Sequence, residues 1–172
     1  VLAYTEDVGV RISGNATRSY AQKSMTFYAR GEYGSSKMDY AFFDGLTDAN
    51  GKKIKEFDKV TIRNGGNDWS YGRYRDDLIH TSASGLAIST LAKADYAVFL
   101  DGEFWGYYSM QEKPDDEYLE SHYDIPKENV TTIKTYEGEG DTAIVQSYID
   151  FMEWALKADL SVAANYQRVC DT

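Results

Sequence analysis

Cysteine, proline and histidine are almost missing from this chain. Its 172 residues include one Cys, two Pro and two His. The lone thiol, Cys170, excludes an internal disulfide and leaves the compartment open. It falls on the apolar face of a predicted helix, where a thiol is ordinarily inert, so a Cys–His nucleophilic pair has little support. His80 and His122 lie far apart in sequence, and His80 has no acid or cysteine at metal-ligand spacing on a shared helix face. Both read as surface or helix-face residues. No apolar run approaches the roughly 20 residues of a membrane span. The opening Val1-Leu2-Ala3-Tyr4-Thr5-Glu6 has neither the basic nor the apolar region of a signal peptide. Cations are outnumbered, 18 Lys and Arg against 28 Asp and Glu, giving a net charge of −10. A field of that sign repels phosphate backbones and argues against a nucleic-acid partner. There is no Walker A pattern and no complete G-x-G-x-x-G.

What the chain does have is apolar and aromatic weight. Hydrophobic residues make up 42% and aromatics 15%, enough for a packed core or a ring-stacking site and too much for disorder. Val8, Val10 and Ile12 alternate with Gly9, Arg11 and Ser13, predicting a half-buried strand that ends at a Gly14-Asn15 turn. Met25, Phe27 and Ala29 predict a second strand, and Val60-Thr61-Ile62 a third. Asn64 to Asp68 reads as a flexible loop. A helix is expected from about Ser70 to Ser84, with Tyr71, Tyr74, Leu78 and Ser82 on one face. Asp101-Gly102 between two aromatic-rich runs predicts a tight hairpin from Tyr96 to Met110. Pro114 and the acids after it open a helix to about Tyr123. A short strand over Val130–Lys134 and a helix over Thr142–Ala158 follow. Ser161 is expected to cap a last helix whose apolar face, Val162, Tyr166, Val169 and Cys170, meets no stop signal. That pattern carries the expectation of a chain cut before its fold is complete.

Chemistry-bearing groups are sparse. Backbone N–H groups of the Gly14-Asn15 turn, with Arg18 and Lys23 beside them, could hold phosphate oxygens, or the turn is an ordinary hairpin with surface cations. Asp76 and Asp77 could pair with Lys23 or Arg18 as a lysine–acid pair does in kinases, or simply face solvent. Asp115, Asp116 and Glu117 suit the positive end of a helix.

Three segments taken together carry a resemblance. Arg11-Ile12-Ser13-Gly14-Asn15-Ala16-Thr17-Arg18, followed by Gln22-Lys23-Ser24, resembles the R-x-x-G-N-[ST]-[ST]-R … K-K-S-Y opening of the CotH family, the spore coat protein H-like atypical kinases. Arg63-Asn64-Gly65-Gly66-Asn67-Asp68, with Arg75-Asp76, is similar to that family's L-x-x-G-G-N-D stretch before a helix. Leu100-Asp101-Gly102-Glu103-Phe104-Trp105-Gly106-Tyr107-Tyr108, ending in Gln111-Glu112-Lys113, resembles its N-G-E-Y-x-G-L-Y-x-L-x-E hairpin. The resemblance covers about Val8 to Lys134, with order and spacing kept. Ala21-Gln22-Lys23 departs from the usual Pro-Lys-Lys, and Asp101 stands where Asn is common.

The resemblance implies an α+β, distantly protein-kinase-like fold. An antiparallel, sheet-rich nucleotide-binding lobe would span about residues 1–112, and residues 113–172 would begin a truncated helical lobe. It implies ATP bound by Gly14, Asn15, Arg18, Lys23, Asp76 and Glu112: the Gly14-Asn15 turn over the phosphates, Lys23 on them, the Asp76 helix orienting Lys23, and Glu112 near the adenine. The family's metal-binding and catalytic aspartates have no counterpart here, so Mg²⁺ ligands are expected beyond Thr172 and this stretch alone is expected to be inactive. The implied partner is a protein substrate of a bacterial cell or spore surface, or of a secreted assembly. The alternative is a structural module of such an assembly, with Trp105, Tyr107 and Tyr108 offering an aromatic platform to protein or carbohydrate. A carboxylate-pair hydrolase ranks last.

Overall fold

The computed structural model describes residues 1–134 and 137–171. They divide into two compact units, Val1–Asp124 and Ile125–Thr172. In the first, strands β1 (Gly9–Ser13), β2 (Ser24–Tyr28), β5 (Lys59–Arg63), β6 (Lys93–Leu100) and β7 (Glu103–Gln111) form one antiparallel sheet in the order β1-β2-β5-β7-β6. Short strands β3 (Met38–Asp39) and β4 (Glu56–Phe57) make a separate ribbon, and helices α1 (Arg75–Ala83) and α2 (Asp116–Tyr123) complete the unit. The second unit holds a small β8–β9 ribbon (Thr132–Lys134, Glu137–Glu139) and helices α3 (Thr142–Ala155) and α4 (Ala163–Asp171). Among the described residues no helix is long and apolar enough to cross a membrane.

Register sorts the sheet into two faces. Met25 pairs with Ile62, Phe27 with Val60, and Ile62 with Met110, so these apolar residues share one face. The 38–57 segment covers it: Met38, Phe43, Ile54 and Phe57 pack with Ala29 and Val60 in one buried cluster, and Met25, Ile62 and Tyr108 make another. Each such fully buried side chain stabilises by about 1.5–3 kcal/mol. The other face carries Thr26, Thr61, Gln111 and Lys93 in paired register. Its hydroxyls join across strands, Ser13 to Thr26 at 2.5 Å and Thr26 to Thr61 at 2.8 Å.

The Asp101-Gly102 hairpin forms as expected. Asp101 (φ 50°) and Gly102 (φ 85°) both take the left-handed region that a tight two-residue turn demands, and Leu100 pairs with Glu103. Elsewhere the structure corrects the periodicity. Val10 and Ile12 are 57% and 46% exposed, because β1 is an edge strand and the covering segment packs under its neighbours. The first helix starts five residues late, at Arg75, after a turn in which Arg73 adopts φ 66°. Asp115, not Pro114, opens α2, its carboxylate accepting the Tyr118 N–H. Asp141 caps α3 in the same way. The Ser161 hydroxyl donates to Asp159 instead of capping α4, and this bond holds the Asp159 carboxyl below its usual range.

Candidate functional site

Helix α1 meets the sheet through its polar side. The side chains turned inward are Asp76, Asp77 and His80, while Leu78 and Ile79 are 58% and 59% exposed and Tyr71 and Tyr74 also face solvent. The expected face of Tyr71, Tyr74, Leu78 and Ser82 is therefore the outer one, and His80 shares the inner face with two acids, Asp76 and Asp77, where none was expected. Charge dictates the choice. Arg63 on β5 and Lys93 on β6 project from the hydroxyl-bearing face, and both reach Asp76, at 2.8 and 2.7 Å. Lys93 also bridges to Asp77 at 3.0 Å, and Ser109 donates to Asp77 at 2.8 Å. Two cations and two carboxylates thus neutralise each other between helix and sheet. Burial pushes Asp76 upward, but Lys93 and Arg63 outweigh it and hold the carboxyl below the usual carboxylate range.

The loop ahead of α1 is anchored rather than flexible. Asn64 is 1% exposed, and its amide donates to the Gln22 carbonyl at 2.7 Å. Its oxygen accepts from Ser24 Oγ and from the Gly66 N–H, both at 3.0 Å. Asp68 holds Arg75 by side chain and backbone. Gly65 (φ 94°) is required where it stands, since a Cβ there would lie 2.9 Å from the Arg73 side chain. Arg73 in turn donates to Gln22 Oε1 at 2.7 Å, tying this loop to the segment before β2.

The six residues expected at a nucleotide site fall into three places. Gly14, Asn15, Arg18 and Lys23 are together at the β1–β2 turn. Gly14 takes φ 104°, and a Cβ there would collide with Thr17 Oγ1. Arg18 donates to the Ile12 carbonyl at 3.2 Å and Lys23 to the Arg18 carbonyl at 2.7 Å. Asp76 is in the α1 network. The anticipated Lys23–Asp76 pair is not formed; Arg63 and Lys93 take that role because they share the sheet face on which α1 lies. Glu112 is elsewhere again, 4% exposed, accepting from the Ala92 N–H at 2.9 Å and bonded to His122 Nε2 at 2.7 Å.

His122 stacks on Tyr118, ring centroids 4.2 Å apart, and Tyr118 donates its hydroxyl to the Thr90 carbonyl. Burial, then Tyr123 and Glu112, raise the Tyr118 phenol far above its ordinary value, so it is a fixed neutral donor. At the hairpin tip Phe104, Trp105 and Tyr107 are exposed, whereas Tyr108 is core. Among the described residues no group of three or more His, Cys, Asp or Glu is placed to hold a metal ion.

Arg63, Lys93 and Ser109 were not singled out as site residues in the sequence, and His122, expected at the surface or on a helix face, is instead nearly buried, its side chain 11% exposed and bonded to Glu112. Arg63 alone carried a signal, as the first residue of the R-N-G-G-N-D stretch. The family model described as CotH kinase protein matches residues 10–167. No curated protein and no solved structure matches the chain.

Proposed function

Because this chain belongs to the CotH kinase protein family, we propose that it is the nucleotide-binding portion of an atypical protein kinase that transfers the ATP γ-phosphate to a protein hydroxyl. The observation that carries this reading is the cation–carboxylate network between α1 and the sheet. Protein kinases hold a helix acid against a strand cation to fix the nucleotide lobe, and Asp76 with Lys93 and Arg63 is an arrangement of that kind. Bound ATP would supply the group transferred. The chain's own residues would neutralise and position it, which is most of what phosphoryl transfer asks of a protein.

The Gly14–Lys23 turn suits phosphate. Arg18 and Lys23 now donate to neutral carbonyl oxygens, and exchanging these for phosphate oxygens gains charge-assisted bonds. Glu112, locked by Ala92 and His122, would set the connector between β7 and α2 that carries the adenine contact. Its carboxylate acts through the backbone in this reading, since both oxygens are already engaged. Mg²⁺ would be held by acids outside this stretch, and phosphotransfer by the 172 residues alone is expected to be absent. The substrate would be a protein of a cell-surface or spore-coat assembly, in keeping with the family.

Calorimetric titration with ATP and Mg²⁺ tests the site. Lys23→Ala and Arg18→Ala should each weaken binding about tenfold or more, the value of one charge-assisted bond. No ATP binding by the parent chain, or unchanged affinity in both variants, sinks the assignment. Label transfer from γ-labelled ATP to a protein acceptor by this chain alone would refute the placement of the metal ligands.

A further inference from the structure

The chain's only two histidines, 42 positions apart in sequence, line one cavity of about 390 Å³. The cavity opens between α1, the Thr90–Lys93 segment and α2, all within the first unit. Its volume lies within the roughly 300–1,000 Å³ of small-molecule sites. Tyr118 and Tyr123 line it with the two imidazoles, and Ile88 adds an apolar, 59% exposed rim.

Hydrogen bonding settles what the imidazoles present. The Leu91 N–H donates to His80 Nδ1 at 3.0 Å, so Nδ1 is an acceptor and the neutral ring carries its proton on Nε2. His122 meets Glu112 through Nε2, which leaves its Nδ1 turned to no protein partner. One nitrogen of each ring remains unspent by protein contacts, the His80 one as a donor.

Charge narrows the ligand. No Asp or Glu lines the cavity, although the chain has 28 of them, so a cation has no counter-ion there. Lys93 is the lining cation, and Asp76 and Asp77 already neutralise it. The overall field of −10 works against an anion as well. What remains is a neutral molecule with a ring to meet Tyr123, which is 43% exposed, and hydrogen-bonding groups for the two imidazoles.

We infer that this cavity binds a small uncharged aromatic amide or N-heterocycle, held between His80 of α1 and His122 of α2. The site is separate from the Gly14–Lys23 turn, although its lining residues Lys93 and His122 bond Asp76 and Glu112 of the proposed nucleotide site.

Because there are only two imidazoles, their ring signals in ¹H–¹³C or ¹H–¹⁵N NMR report the site directly. Nicotinamide is the probe, and acetamide, which has the amide without the ring, is the control. Both imidazoles should shift together and saturably with nicotinamide, in the roughly millimolar range expected of so small a ligand. Acetamide should leave both in place. Ile88→Glu and Tyr123→Ala, each at an exposed rim position, should weaken the nicotinamide response about tenfold while the spectrum stays dispersed. The same response should persist in Lys23→Ala, which keeps this test apart from the nucleotide reading. A single shifting ring, an equal response to acetamide, no shift, or indifference to both rim variants would overturn the inference.

Discussion

Asn64 spends its side chain on the Gln22 carbonyl, the Ser24 hydroxyl and the Gly66 N–H. Removing that amide in Asn64→Ala strands the Gln22 carbonyl and the Gly66 N–H in a site that is 1% exposed. Each buried orphan costs about 1–3 kcal/mol, so the variant should lose about 2–6 kcal/mol of stability. Urea unfolding should show a lower midpoint at an unchanged slope. The stretch around Asn64 was legible as a motif but not as a structure, because its partners Gln22 and Ser24 lie about forty residues upstream. Asp76 makes a second residue-scale case. Its depressed folded pKa means that its contribution is present above the unfolded carboxylate value near ~3.9 and is lost as pH falls through the lower folded value. The melting-temperature gap between the parent chain and Asp76→Asn should therefore be open at pH 7 and close toward pH ~3. A gap that persists unchanged in acid would show that the ion pairs do not stabilise the helix.

At the scale of elements, hairpin β6–β7 was readable because its information is local. A two-residue Asp-Gly turn and alternating flanks fix register without help from elsewhere. Helix α1 was not, because an apolar stripe ordinarily marks the buried side. Here Arg63 and Lys93, contributed by two strands, draw the acids inward, and the stripe is left outside. Leu78→Lys and Ile79→Lys should thus change stability by no more than about 0.5 kcal/mol, as exposed substitutions do. Lys93→Met, which leaves Asp77 without its cation, should cost several times that, about 2–4 kcal/mol. Thermal melts of the three variants decide between this inverted packing and an ordinary amphipathic helix. The edge strand β1 teaches the same lesson, since alternation shows which residues share a face but not whether anything covers it.

At the scale of the whole molecule, burial is uneven. Every fully buried residue described lies in Val1–Asp124, and none lies in the described part of 125–171. Backbone protection follows local burial. Hydrogen exchange read by mass spectrometry should find β2, β5 and β7 slow and helices α3 and α4 fast, with protection factors lower by at least about a hundredfold in the helices. Comparable protection in both would contradict this distribution. The α+β class and the antiparallel sheet are what the family resemblance implied, and the structure has both. The core supplied by residues 38–57 was not legible, because its elements are two residues long and carry no period.

The hydroxyls of Ser13, Thr26 and Thr61 have a consequence of their own. Three O–H groups share two bonds across three strands, and each group has a single proton to give. Thr26, the shared group, can donate in only one of these two bonds and must accept in the other. Thr26 is in this way the one side chain tying the hydroxyl of an edge strand to that of the middle strand, and a valine at position 26 would cut both links at once.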